Sequence, residues 1–227
     1  MPVKSKTVIG LNPESLTEGI VRSIREAITL GRWKPEEKII ETELADQMGV
    51  SRSPIREALR ILANEGLVTL VPRKGAKVSK ISLKDLKEIY AIRANLESMA
   101  ARIAAVNLRA DEIKRMENLH ERMLGKTRVN DVEGIFRLNE KFHSCILRAG
   151  DNERLIEVNR SLKTRSQRFR MAILSLPGRL TEALEEHYRI LEALKNRDAP
   201  LAEELVKAHV HRAGQRLIAD LEKKSKE

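Results

Sequence analysis

Residues 41–66, ETELADQMGVSRSPIREALRILANEG, restrict the fold more than any other stretch of the chain. Apolar side chains recur at helical spacing on both sides of GVS, so two short amphipathic helices meet across a tight turn. Glu41 to Met48 forms the first, with Leu44, Ala45 and Met48 on one face and Gly49 closing it. Ser51 or Ser53 caps the next, and Pro54 falls in its first turn, where no amide partner is lost. Ile55, Leu59 and Leu62 share one side of that helix with Ala58 beside them, which turns Arg52, Arg56 and in part Arg60 outward. Arginines at this spacing are ordinarily a solvated helix face. Their surroundings give them a second reading.

Upstream, Leu16, Ile20, Ile24, Ala27 and Ile28 keep helical spacing as far as Gly31 and predict a preceding helix. Downstream, Leu67 to Val71 and Ala76 to Ser79 read as short strands around the turn PRKG, a tip that carries Arg73, Lys74 and Gly75. Three helices with a tight turn before the third, followed by a basic-tipped hairpin, make a winged helix-turn-helix. The third helix of that motif enters the DNA major groove. Arginine forks there match guanine edges or phosphates, and the hairpin reaches along the backbone.

Composition agrees with a soluble helical protein and narrows its partners. The 227 residues include 41% hydrophobic, 33% charged and only 3% aromatic side chains, and no apolar run is long enough to span a bilayer. A net charge of +10, spread over both halves of the chain, favours polyanions or an acidic membrane surface without choosing between them. The lone Cys145 excludes an internal disulfide, and the amino terminus lacks the apolar core of a secretory signal, so a cytoplasmic location is expected.

The segment GRWKPEEKIIETELADQMGVSRSPIREALRILANEGLVTLVPRKGAKV resembles the DNA-binding domain of the GntR superfamily of bacterial transcription regulators. The resemblance spans about residues 31 to 78 and is sharpest in LADQMGVSRSPIREALRILANEGLV. It implies operator binding by Arg52 and Arg56, with Ser51 and Ser53 beside them, Arg73 and Lys74 on the wing, and Gly75 allowing close approach to DNA. The family often carries arginine at the position of Thr42; a threonine there offers a phosphate only a hydroxyl.

Beyond the linker-like KVSKIS, six helices are predicted from Leu83 onward, broken at NLRAD, GKTRVND, RAGDN, LSLPG and NRDAP, with amphipathic faces that a bundle buries. Asn139 and His143 lie four apart, on one side of one helix. His187 and His209 each stand roughly 10 to 12 residues from the middle of the NRDAP turn, about 15 to 18 Å along antiparallel helices, and so at one level. A similar count around RAGDN and LSLPG brings His143 to that level. Three imidazoles then converge inside the bundle with the Asn139 carbonyl oxygen as a fourth donor, a set that suits zinc or nickel and leaves coordination positions open. A single histidine is more often a hydrogen-bonded core or surface residue, and His120 and His211 are read that way.

YAIRANLESMAARIAA, LNEKFHSCILRAGDNERL and EHYRILEALKNRDAPLAEELVKAHV are similar to the FadR-type, or FCD, effector domain, an all-helical bundle that follows a GntR head. This resemblance covers about residues 83 to 220. It implies a divalent metal at Asn139, His143, His187 and His209, with asparagine where the family usually has aspartate, and a small carboxylate effector held with the metal's help. Arg93 matches a recurring arginine that faces such a pocket; a salt bridge with Glu97 is the alternative.

The expected fold is therefore mainly α: a winged helix-turn-helix at about residues 10–80 and a six-helix effector and dimerisation bundle at 83–222. The expected function is a ligand-responsive regulator, a repressor relieved by its effector, acting as a homodimer on a near-palindromic operator. A metal-dependent enzyme and a nonspecific nucleic-acid binder are the alternatives. No Ser/His/Asp arrangement, phosphate loop or HExxH supports the former.

Overall fold

The computed structural model describes residues 15–72, 75–176 and 178–224. Their contacts divide the chain into two compact units, one ending at Ser79 and the other beginning at Lys80.

The first unit contains α1 (Leu16–Thr29), β1 (Lys38–Ile39), α2 (Glu41–Met48), α3 (Arg52–Asn64), β2 (Val68–Val71) and β3 (Gly75–Val78). Ser15 starts α1 with a capping box, its hydroxyl accepting from the Glu18 amide while the Glu18 carboxylate accepts from the Ser15 amide. Ser51 is the N-cap of α3, although its hydroxyl makes no capping bond. Ile55, Ala58, Leu59 and Leu62 form the wholly buried face of α3, packed with Ile24 and Ile28 of α1. Each of the larger side chains contributes about 2 kcal/mol by leaving water. Arg52, Arg56 and Arg60 lie on the opposite, exposed face.

The wing holds more than a hairpin. β2 and β3 pair antiparallel as the expected hairpin, but β1 adds a third strand on the far side of β3, giving the order β1-β3-β2. Two residues are too few to show alternation, so β1 left no sequence signal. Gly75 accounts for itself here: its φ is +89°, and a Cβ at that position would lie 2.3 Å from the Ile39 carbonyl oxygen. Arg73 and Lys74, the expected wing-tip contacts, lie outside the described residues.

The second unit is wholly helical among the described residues: α4 (Leu83–Asn107), α5 (Ala110–Thr127), α6 (Val132–Ala149), α7 (Glu153–Leu174), α8 (Arg179–Lys195) and α9 (Ala199–Lys224). A second capping box, Ser82 with Asp85, starts α4. α4 runs against α9 and also touches α6, α7 and α8. Gly214 makes part of the α4–α9 approach possible, since a Cβ there would come within 2.7 Å of the Tyr90 ring. No described helix is long and apolar enough to cross a membrane.

Candidate functional site

On α3 the guanidinium groups of Arg52 and Arg56 keep 57% and 52% of their side-chain surface exposed, so they are available to a partner. They are not idle. Glu41, in the first turn of α2, accepts hydrogen bonds from Arg56 Nε and Nη2 at 3.2 and 3.0 Å, and its Oε2 lies 3.6 Å from Arg52 Nη2. The Arg56 hydrogen bond holds the Glu41 carboxyl below its usual range. Solvent-exposed pairs of this kind are worth little, so Glu41 fans the two arginines without locking them away from DNA. Arg60 sits 3.7 Å from Glu57, equally open to water. Thr42, Ser51 and Ser53 border the same face at the starts of α2 and α3, and all three are exposed.

In the bundle, the helical period brings the expected donors inward. Asn139 and His143 lie on the buried side of α6 with Ile135, Leu138, Phe142 and Ile146, while His187 and His209 lie on the buried sides of α8 and α9. The three imidazole centroids stand 5.2, 5.1 and 4.8 Å apart, and one ligating atom from each falls within 4.8 Å of the others. All three rings and Asn139 are buried. His120 is buried elsewhere, its Nε2 3.0 Å from the Leu184 carbonyl oxygen, and His211 is exposed.

Each ligand candidate has a distinct electrostatic setting. Burial, reinforced by His209 and His120, pushes the His187 pKa well below the ordinary imidazole value, and neither of its ring nitrogens has a hydrogen-bond partner among the described residues. His209 is also lowered by burial, with Glu186 opposing in part. Its Nδ1 lies 2.6 Å from Glu186 Oε2. Burial would raise the Glu186 carboxyl, but bonds from His209 and Arg179 outweigh it and hold Glu186 well below the carboxylate range. An ionised Glu186 accepts the Nδ1 proton and leaves the Nε2 lone pair of His209 for a metal. Glu97 Oε2 lies 3.6 Å from His143 Nδ1, a looser counterpart.

A neutral, buried donor set with one wholly unsatisfied imidazole fits a divalent ion. An imidazole isolated from water in this way costs about 1–3 kcal/mol unless something takes its lone pair. His143, His209 and Asn139 also line a cavity of about 40 Å³, together with Tyr90, Arg93 and Arg179. That space admits only a few water-sized atoms, on the order of a carboxylate head.

Arg93 lines this cavity and also makes the salt bridge with Glu97. Its Nε and Nη2 donate to Glu97 Oε1 at 3.0 and 2.8 Å, its guanidinium stacks 4.9 Å from the Tyr90 ring centre, and its Nη1 has no hydrogen-bond partner among the described residues. Arg179, Glu186 and Glu41 are the residues that sequence reasoning passed over. A lone arginine after the LPG turn has no periodic signature, and its burial follows from where α8 begins.

A winged head with an outward arginine stripe, joined to a helical bundle with a buried polar centre, defines a helix-turn-helix transcription regulator. Residues 16–78 match the family "Bacterial regulatory proteins, gntR family", and residues 88–212 match the FCD domain. The chain belongs to the GntR family of bacterial regulatory proteins, among the members that carry an FCD domain. It is similar to the HTH-type transcriptional regulator YdhC of Bacillus subtilis, with 34% identity over 190 residues, 82% of this chain and 84% of that protein. The HTH-type transcriptional repressor RspR of Escherichia coli is 28% identical over 202 residues, 88% of each chain. The solved structure of E. coli McbR/YncC superposes with a TM-score of 0.82 at 26% identity, covering 92% of this chain and all of that one. The family and these relatives are transcription regulators, not enzymes.

Proposed function

We propose that the protein is an effector-responsive repressor that binds a near-palindromic operator as a homodimer and takes a small carboxylic acid at a divalent metal site in its bundle. The observation that carries the effector half is the buried His143–His187–His209 cluster opening on a cavity that also presents Arg93.

At the operator, Arg52 and Arg56 read guanine edges or phosphates from α3, with Ser51, Ser53 and Thr42 as hydroxyl donors to the backbone. Gly75 begins β3 of the wing, and Arg73 and Lys74, which precede it in sequence, are the basic residues proposed to contact the phosphate backbone beside it. Repression is the sense of action that the similarity to the repressor RspR supports. Ile92, Met99 and Val106 stand exposed at seven-residue spacing along α4, a register in which two copies of one helix pair, and this supports the homodimer.

His143, His187, His209 and the Asn139 oxygen would hold zinc or nickel, which when bound supplies positive charge that attracts an anionic ligand. Glu186 and Glu97 orient the imidazoles, and Arg93 offers its remaining Nη1 donors to a carboxylate. Because the cavity is about 40 Å³, an acid larger than its own head must displace side chains around Arg93. Arg93 sits on α4, whose first residue, Leu83, follows the head by a short linker, so movement of α4 is the route by which occupancy reaches the DNA-binding unit.

Two measurements test this. Elemental analysis of the purified protein is expected to find about one zinc or nickel per chain, lost in His143→Ala. Arg56→Ala is expected to weaken binding to a duplex selected from a randomised pool by roughly ten- to a hundredfold while the fold persists. A metal content unchanged by His143→Ala, or selective binding unchanged by Arg56→Ala, contradicts the corresponding half.

A further inference from the structure

Two buried arginines, not one, face the cavity, and they are built alike. Arg93 of α4 shares Glu97 with His143, and Arg179 of α8 shares Glu186 with His209. Arg179 is almost wholly buried, at 1% exposure. Its Nη2 donates to Glu186 Oε2 at 2.8 Å, but among the described residues its Nε has no acceptor and its Nη1 has only Glu182 Oε2 at 3.6 Å, beyond hydrogen-bond reach. Guanidinium N–H groups cut off from water and left unpaired are costly, so donors from two separate helices await acceptors that the described residues do not supply.

Charge points the same way. Glu97 balances Arg93 and Glu186 balances Arg179 inside the site, while Arg212, 47% exposed, reaches Glu186 from the solvent side at 2.7 Å and adds no buried charge. The metal donor set of three imidazoles and an amide is neutral, so it cancels none of the charge of a divalent ion. A filled site therefore carries an excess of about two positive charges in a buried setting, where uncompensated charge is strongly disfavoured.

Resting on the effector reading above, we infer that the effector is a dicarboxylate, with one anionic end served by Arg93 and the other by Arg179. Arg179 is a specificity-determining residue: it separates organic acids with two carboxylates from those with one. A monocarboxylate leaves one arginine edge unpaired and half of the excess charge uncompensated.

The test is calorimetric titration of the zinc-loaded, full-length protein with matched pairs of acids, succinate against butanoate and adipate against hexanoate. The dicarboxylate of the preferred pair is expected to bind at least roughly tenfold more tightly than its monocarboxylate partner. Arg179→Gln is expected to remove most of that advantage. If that variant does not fold, Arg179→Lys, which keeps the charge but loses the planar fork, is expected to reduce the advantage in part. Asn139→Asp, which adds a negative charge to the donor set, is expected to hold zinc and to narrow the preference. Equal affinity for both acids of each pair, or an undiminished preference in Arg179→Gln, overturns the dicarboxylate inference alone. Failure of any acid to bind the zinc-loaded protein removes the effector reading as well.

Discussion

His187 carries more information than any other side chain in the bundle. It is nearly wholly buried, packs its ring 4.8 Å from Phe142, and has no partner for either nitrogen among the described residues. In a metal-free protein such a group is a liability, because its lost hydration is offset by nothing. His187→Leu is therefore expected to leave the stability of the zinc-free protein unchanged or to raise it by up to about 2 kcal/mol, as replacing an unsatisfied polar group by an apolar one does. Added zinc is expected to raise the melting temperature of the parent protein and not that of the variant. Thermal unfolding with and without chelator measures both, and a strong destabilisation of the zinc-free variant would show that the imidazole has a structural partner instead. On the exposed face of α3 the decisive residue is Glu41, whose single carboxylate oxygen gathers both Arg52 and Arg56. Its pairing was invisible in sequence because it depends on how α2 turns into α3, and the spacing of 15 residues between Glu41 and Arg56 has no helical meaning.

Elements were legible to different depths. The three helices of the head and the six of the bundle follow from apolar spacing, since a helix declares its buried face along its whole length. The histidine cluster was legible for a related reason: antiparallel helices convert a residue count from a turn into a height, so His187 and His209 had to come level. What escaped notice was set by tertiary geometry. β1 is two residues long, and Arg179 is turned into the cavity from the first residue of α8. Gly75 was read as a concession to DNA, whereas the structure gives it an internal duty against Ile39. Gly75→Ala is expected to cost the head about 1–3 kcal/mol, from a positive φ and a Cβ that meets backbone. Chemical denaturation checks this; an unchanged midpoint would mean that the three-stranded wing is not formed in solution.

For the whole molecule, the stability of each unit comes from its own core, and the outer face of α4 is left with an apolar stripe. Leu96 and Ile103, both half-buried, fall between the exposed Ile92, Met99 and Val106 and complete the alternating spacing of four and three residues seen along paired helices. Met99→Arg, at the centre of that stripe, is expected to shift the protein from dimer to monomer in sedimentation velocity. It is also expected to weaken operator binding, since two linked heads bind far better than one. A variant that stays dimeric places the two-fold elsewhere.

The claim on which the rest depends is that occupancy of the buried cavity changes the grip of the winged head on DNA. Fluorescence anisotropy of a selected operator duplex, titrated with the zinc-loaded protein in the presence and absence of saturating dicarboxylate, reads this directly. The acid is expected to weaken operator binding by about tenfold, a coupling of ordinary size between two sites, and to have no effect on His143→Ala. Superimposable curves with and without an acid that calorimetry shows to be bound would contradict it.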